Sequence, residues 1–369
     1  MQLAGNKIEV ETLREWLDNN KPVFVLDVRP QSQREEWKIP GSHYLDAYDR
    51  LWQGDISVLD EIEIPKDVPI VTVCAAGKTS QIAADALQQK GFIAHSLEGG
   101  MKAWSKAWNL AKKTFHDFEV LQVRRTGKGC LSYIITSGSE AIIIDASVPV
   151  SVYQELIRER NLTVKYVIET HIHADHLSRS KQLAALLNAP LYLPYPNKVH
   201  FSYKKIGPST IFSLGNADIK CIPTPGHTIE SYSFYIEGAA LFTGDTLFTK
   251  GVGRPDLKAD AYESKTRAGL LYHSLQNLIA LPDNVIIFPA HTSTPIEFDN
   301  LVVSTTIKEA KHNAPLLSAD EPSFVNSILG KIPPPPSNYL TIVEKNLEGD
   351  FSETDSIELE SGANRCAIS

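Results

Sequence analysis

The stretch THIHADH, residues 170–176, follows directly on the apolar run KYVIE at 165–169. A strand ending in a loop that carries His171, His173, Asp175 and His176 within six positions offers imidazole and carboxylate groups at one sheet edge. Further out, His227 stands in PTPGHT, Asp245 in FTGDT and His291 in FPAHT, and each follows another strand-like run: DIKCI, AALFT and NVIIFPA. EVLQV, LSYIIT, AIIID and SYSFYIE add to this texture of short strands joined by turns, with a helix near 151–160. A single loop histidine is ordinarily a surface or satisfied core group. Seven such residues at the ends of successive strands can converge on one point, as a borderline metal ion requires.

At 369 residues the chain is long enough for two domains, each with its own core. The 36 Lys and Arg against 44 Asp and Glu give a net charge of −8, which excludes the positive field that nonspecific nucleic-acid binding needs. No apolar run approaches the roughly 18 residues of a membrane span, and the opening MQLAGNKIEVETLREWLD reads as polar chain running into an amphipathic helix, without a secretion signal. Cys74, Cys130, Cys221 and Cys366 are too scattered for a disulfide framework, so a reducing cytoplasm is expected. No nucleic-acid or membrane partner is expected, and the sequence is compatible with an oligomer.

The N-terminal part has a different texture. VFVLDV (23–28), IVTVC (70–74) and FIAHSL (92–97) read as buried parallel strands, and Ile82, Ala83, Ala86 and Leu87 recur between the last two at helical spacing. This is a βαβ pattern and predicts a doubly wound α/β domain over residues 1–110. The polar stretch AKKTFHDFE (111–119) carries little periodicity and is placed as the boundary, with the second domain running over 118–369. KIPPPPSNY (331–339) is expected to run extended over the surface.

Cys74 ends a strand and is followed by AAGKTS and a helix. Loop amides aimed at the sulfur, the positive end of that helix and Lys78 would stabilise a thiolate able to carry a persulfide. GKT is not a P-loop, because position 72 is Thr where Gly is needed. A cysteine phosphatase would place Arg six residues after Cys74, and that residue is Ser80.

H-x-H-x-D-H followed by separate His, Asp and His resembles the metallo-β-lactamase superfamily, over about residues 118–300. The resemblance implies an αββα sandwich with its metal site at the edge of two sheets, but not the reaction. Two ligand sets stay open. If all seven groups bind, Asp245 bridges two zinc ions and the enzyme is a hydrolase similar to glyoxalase II thioesterases. If only His171, His227 and Asp245 bind, the site is a two-His, one-carboxylate triad holding one Fe(II) with open positions. His173, Asp175, His176 and His291 would then orient the ligands from outside. GDTLFTKGVGRPDL (244–257) resembles the persulfide dioxygenases, with Arg254 and Asp256 in the Gly-rich turn, and SGANRCAIS resembles their Asn, Arg, Cys ending. That resemblance implies the iron reading, places Cys366 near the site and gives Arg254 the anionic group of a carrier thiol. Thr292 and Ser293 stand where glutathione-using members carry Asp and Tyr, so the carrier is open between glutathione, coenzyme A and another thiol.

LDVRP (26–30), IPGSHYLDA (39–47), the Cys74 loop and LEGGMKAW (97–104) together resemble a rhodanese domain over about residues 8–108. This implies transfer of sulfane sulfur through a Cys74 persulfide, with Lys78 close to the substrate and with Asp27 and Arg29 as parts of the fold. Joined, the two resemblances imply a persulfide dioxygenase that takes a thiol persulfide and O2 to sulfite, fused to a thiosulfate sulfurtransferase. A binuclear zinc thioesterase is the alternative; a second one makes the N-terminal domain a non-catalytic partner-binding module.

Overall fold

The computed structural model describes residues 6–195, 199–336, 338–352, 354–362 and 364–368. Residues 1–5 of the N-terminal stretch, Ser337 of the proline segment, and Ala363 and Ser369 of the tail lie outside the described residues. The first domain is an all-parallel sheet in the order Lys7–Ile8, Ala94–Leu97, Ile70–Val73, Phe24–Asp27, His43–Tyr44. Phe24–Asp27, Ile70–Val73 and Ala94–Leu97 are buried along their whole length, because helices cover both faces. Phe24, Leu26 and Ile70 meet Ala83, Ala84 and Leu87 of the helix Lys78–Gln89. Val25 and Val71 point the other way, onto Leu13 of the helix Val10–Asp18.

The second domain stacks a seven-stranded sheet on a six-stranded one. Alternation assigns the faces. In Glu140–Ile144, Ile142 and Ile144 join Phe212, Phe234, Phe242 and Phe288 between the sheets, while Ile143 faces outward onto Tyr153 and Leu156 of the helix Val150–Glu159. On the other sheet, Leu241 and Ile287 face outward onto Leu271, Leu275 and Leu278 of the helix Ala261–Ile279. These four layers are the expected αββα sandwich. Among the described residues no helix is long and apolar enough to cross a membrane.

The stretch placed as a linker is a strand. Asn109–Thr114 pairs antiparallel with Glu119–Arg125, from Asn109 opposite Arg124 to Thr114 opposite Glu119, and forms the edge of the seven-stranded sheet. Its pattern is hidden because the exposed half carries Lys112 and Lys113, as edge strands commonly do. The domains meet just before it. Trp37 donates from Nε1 to the Thr126 carbonyl at 3.0 Å, and Trp104 lies against Phe298 with ring centroids 6.4 Å apart. Gly127 sits so close that a Cβ there would stand 1.8 Å from the Trp104 carbonyl oxygen.

The last residues return to both domains. Glu360 is fully buried and accepts from the Leu177 amide at 2.6 Å, and from Arg125 Nη2 and Arg179 Nη2 at 3.2 Å each. Ala367–Ile368 pairs antiparallel with Val252–Gly253. Residues 332–336 have no regular secondary structure and are partly or fully exposed, but Tyr339, expected to be extended with them, opens the helix Tyr339–Glu348.

Glu360→Gln keeps the shape but leaves two buried guanidinium groups without their anion, which should cost about 3 kcal/mol. The check is the urea midpoint of the second domain; a change below about 0.5 kcal/mol would mean that the network contributes nothing.

Candidate metal centre and the Cys74 loop

The loop 169–176 is fixed by Asp145, a non-glycine residue at φ 54° that accepts from the Thr170 amide and hydroxyl, both at 2.8 Å. With its one proton used on Asp145, the Thr170 hydroxyl accepts from His171 Nδ1 at 2.8 Å. His171 Nε2 therefore keeps its lone pair, and it has no partner. His227 is set the same way, because its Nδ1 lies 2.8 Å from the Arg254 carbonyl, which can only accept. Asp245 Oδ2 lies 3.7 Å from His171 Nε2 and 3.5 Å from His227 Nε2, and is itself unpartnered. Gly253 permits this convergence, since a Cβ there would stand 1.9 Å from the Asp245 carbonyl oxygen. Two imidazole lone pairs and a carboxylate oxygen, all buried and facing one another without donors, fit a divalent cation.

The electrostatics agree with that donor set. Burial, then the charge of His173, holds His171 well below the usual imidazole range, and burial lowers His227 too. Burial would raise the Asp245 carboxyl, yet His291, followed by His171 and His227, keeps it well below the usual carboxylate range.

The remaining predicted groups gather beside the triad. His291 lies between two carboxylates, with Nδ1 2.5 Å from Asp245 Oδ1 and Nε2 2.8 Å from Asp175 Oδ2. Burial opposes its charge, but Asp175 and Asp245 raise it well above the usual range. His176 Nδ1 meets Asp175 Oδ1 at 3.0 Å, and against burial the Asp175 charge lifts His176 to about 10. His173 Nε2 stands 3.2 Å from Asp145 Oδ1, and its ring centroid is 4.3 Å from that of His171.

Four contributors were missed in the sequence. Cys130 Sγ and Asn364 Nδ2 donate to Asp175 Oδ2 at 3.2 and 3.0 Å. Burial and Asp175 would raise the Cys130 thiol, but His176 and His291 bring it to about 7. Asp145 and Thr170 orient His171 as described above. Of these, only Asn364 had a visible signal, its place in the Asn, Arg, Cys ending. Cys366 belongs to the site: it is buried, with its sulfur within 4.8 Å of ligand atoms of Asp245 and His291, and its thiol is raised well above the ordinary value by burial, then by Asp245.

The role expected for Arg254 needs correction. The residue is fully buried, with Nε and Nη2 on Asp256 at 2.8 Å each, Nη1 on the Pro334 and Arg365 carbonyls at 3.2 Å, and Nη2 on the Pro333 carbonyl at 2.7 Å. All five guanidinium N–H groups have protein acceptors, so none is free for a carrier thiol. Arg254 instead ties the proline segment to the tail.

In the first domain, the Gly77 amide and the Ser80 hydroxyl donate to Cys74 Sγ at 3.2 and 3.3 Å. Gly100, at φ 57°, backs the loop so closely that a Cβ would stand 2.3 Å from the Cys74 carbonyl oxygen. Lys78 is exposed at the first turn of the helix Lys78–Gln89. Asp27 and Arg29 pair at 2.7 Å within the fold.

Residues 9–107 match the rhodanese-like domain family and residues 125–291 match the metallo-beta-lactamase superfamily. The hydroxyacylglutathione hydrolase of Neisseria meningitidis serogroup C is 30% identical over 196 residues, covering 50% of this chain and 73% of that protein. That of Tolumonas auensis is 32% identical over 191 residues, covering 48% and 70%. Among solved structures, a metallo-beta-lactamase from Staphylococcus aureus subsp. aureus COL has a TM-score of 0.58 at 27% identity, over 64% of this chain and 74% of that one. ETHE1 from Myxococcus xanthus has a TM-score of 0.54 at 26% identity, over 62% and 97%. With the histidine loop at the edge of its αββα sandwich, the chain belongs to the metallo-beta-lactamase superfamily and carries a rhodanese-like domain ahead of that fold.

Proposed function

We propose that the chain oxidises a small thiol persulfide to sulfite with O2 at one iron ion held by His171, His227 and Asp245, and that Cys74 moves sulfane sulfur through its own persulfide. The reaction R-S-SH plus O2 and water giving R-SH, sulfite and two protons balances in atoms and charge. The observation carrying the one-ion reading is the convergence of His171 Nε2, His227 Nε2 and Asp245 Oδ2, which form a buried group of two imidazoles and one carboxylate. Asp175, His176, His291 and Cys130 form a second buried group that could hold an ion, which is the observation on the side of the two-ion reading. The resemblance of residues 244–257 and of the tail to persulfide dioxygenases supports the one-ion reading.

Bound at these atoms, iron would supply the one-electron chemistry that O2 requires. The chain's residues prepare that site. Thr170 and the Arg254 carbonyl fix the two imidazoles with Nε2 inward. His291 holds Asp245 Oδ1, leaving Oδ2 toward the triad. In the other domain, the Gly77 amide and Ser80 hydroxyl stabilise negative charge on Cys74 sulfur. The Cys74 thiolate attacks the outer sulfur of thiosulfate, an S–S bond to Cys74 forms, and sulfite leaves with the electron pair of the broken S–S bond. All four cysteines are buried and unpaired, which fits the cytoplasm.

The second reading, a binuclear zinc thioesterase, is favoured by the hydroxyacylglutathione hydrolases among the relatives. Metal content separates the two. Asp245→Ala should remove the metal and all oxygen uptake, whereas His291→Ala should retain most of the metal because His291 lies outside the triad. Equal metal loss in both variants, or two zinc ions per chain with thioester hydrolysis, would establish the second reading.

Cys74→Ser preserves the loop but not its nucleophile. Oxygen uptake driven by thiosulfate plus thiol should vanish, and uptake on preformed persulfide should continue. Retained thiosulfate-driven uptake would leave the first domain as a partner-binding module.

A further inference from the structure

Two cavities lie along the junction of the domains. One, of about 320 Å³, is walled by Ala75, the residue after Cys74, together with Met101 and Lys102. The other, of about 230 Å³, is walled by Asp175, whose Oδ2 is 2.8 Å from His291 Nε2, together with Lys128 and Arg365. They share Glu36, Ser361 and Gly362, so one stretch of the tail borders both. The two cavities thus adjoin across Glu36, Ser361 and Gly362, one beside the Cys74 loop and the other beside Asp175.

The charges along these cavities single out one residue. Lys102 is paired with Glu358 at 2.6 Å and Arg365 with Glu36 at 3.2 Å. The Asp175 carboxylate is engaged by His176, His291, Cys130 and Asn364. Lys128, only 4% exposed, donates to the Glu360 carbonyl at 2.7 Å and the Gly362 carbonyl at 3.4 Å, and no carboxylate pairs with it among the described residues. A buried ammonium with only neutral partners, facing a cavity, favours an anion there.

We propose that the two cavities form one interdomain passage in which a small anionic thiol takes sulfur from Cys74 and delivers it to the metal site without leaving the chain, with Lys128 holding its anionic group. The inference rests on the persulfide-oxidising reading above. In the transfer, the carrier thiolate attacks the outer sulfur of the Cys74 persulfide. The carrier S–S bond forms as the Cys74 S–S bond breaks, and the electron pair stays on Cys74 sulfur, so no outside oxidant is needed.

The test mixes equal amounts of full-length Cys74→Ser and Asp245→Ala chains, which together hold one working copy of each site. Oxygen uptake from thiosulfate plus glutathione is divided by the same sample's uptake on preformed glutathione persulfide. At micromolar protein this ratio should fall at least tenfold below that of wild-type chain at equal site concentrations. An equal ratio would overturn the passage, because persulfide released to solution would then serve as well. Absence of persulfide-driven uptake in the wild type would overturn the oxidation reading itself, and the passage with it. For Lys128, the Met variant should raise KM at least tenfold for glutathione persulfide and less than twofold for the uncharged 2-hydroxyethyl persulfide, and Lys128→Arg should recover most of the loss. Equal increases for both carriers would remove Lys128 as the anchor.

Discussion

His291 stands between Asp175 and Asp245, and the chemistry of the site depends on that placement. Its Nδ1 is hydrogen-bonded to Asp245 Oδ1 and its Nε2 lies 2.8 Å from Asp175 Oδ2, so one buried imidazole sits beside both acids. One of them, Asp245, turns its other oxygen toward the same point as the His171 and His227 lone pairs. The other collects Cys130, His176 and Asn364. Without His291, two buried carboxylates would face each other with much weaker compensation. Within one loop, His171 meets the Thr170 hydroxyl and His176 meets Asp175, so neighbouring histidines stand in different surroundings.

The sandwich brings these groups together by placing strand ends along one edge. The turns after Thr163–Ile168, Ala217–Pro223, Ala240–Gly244 and Ile286–Pro289 deliver His171, His227, Asp245 and His291, while alternating side chains on the same strands build the core between the sheets. Packing and chemistry are therefore coupled along each strand. The strands leading to Asp245 and His291 are paired in parallel with Phe242 opposite Phe288, whose stacked rings have centroids 5.1 Å apart, so core packing and the site share the same two strands.

Much of this was legible in the sequence. A ligand cluster after a strand, the buried runs of a parallel sheet and a cysteine at a strand end are local patterns, because period and spacing are local quantities. What escaped the reading is long-range. Glu360 binds the Leu177 amide and two arginines far back in the chain, and Cys130 and Asn364 reach Asp175 from opposite directions. Arg254 was misassigned because a guanidinium in a Gly-rich turn looks the same in sequence whether it faces a ligand or five acceptors of its own protein. The strand Asn109–Thr114 was hidden by lysines, since an edge position removes the apolar half of the alternation that reveals central strands.

The return of residues 356–368 to the junction also sets an order of events during synthesis. The parallel sheet of the first domain is finished once Ala94–Leu97 has emerged. The metal-site residues are all present once His291 has emerged, yet the Asn364 bond to Asp175, the Glu360 brace and the Cys366 sulfur arrive only with the last stretch. At translation speeds of about 5–20 residues per second, the ligands up to His291 are made several seconds before residues 356–368, so the site's side chains exist before the contacts that surround them.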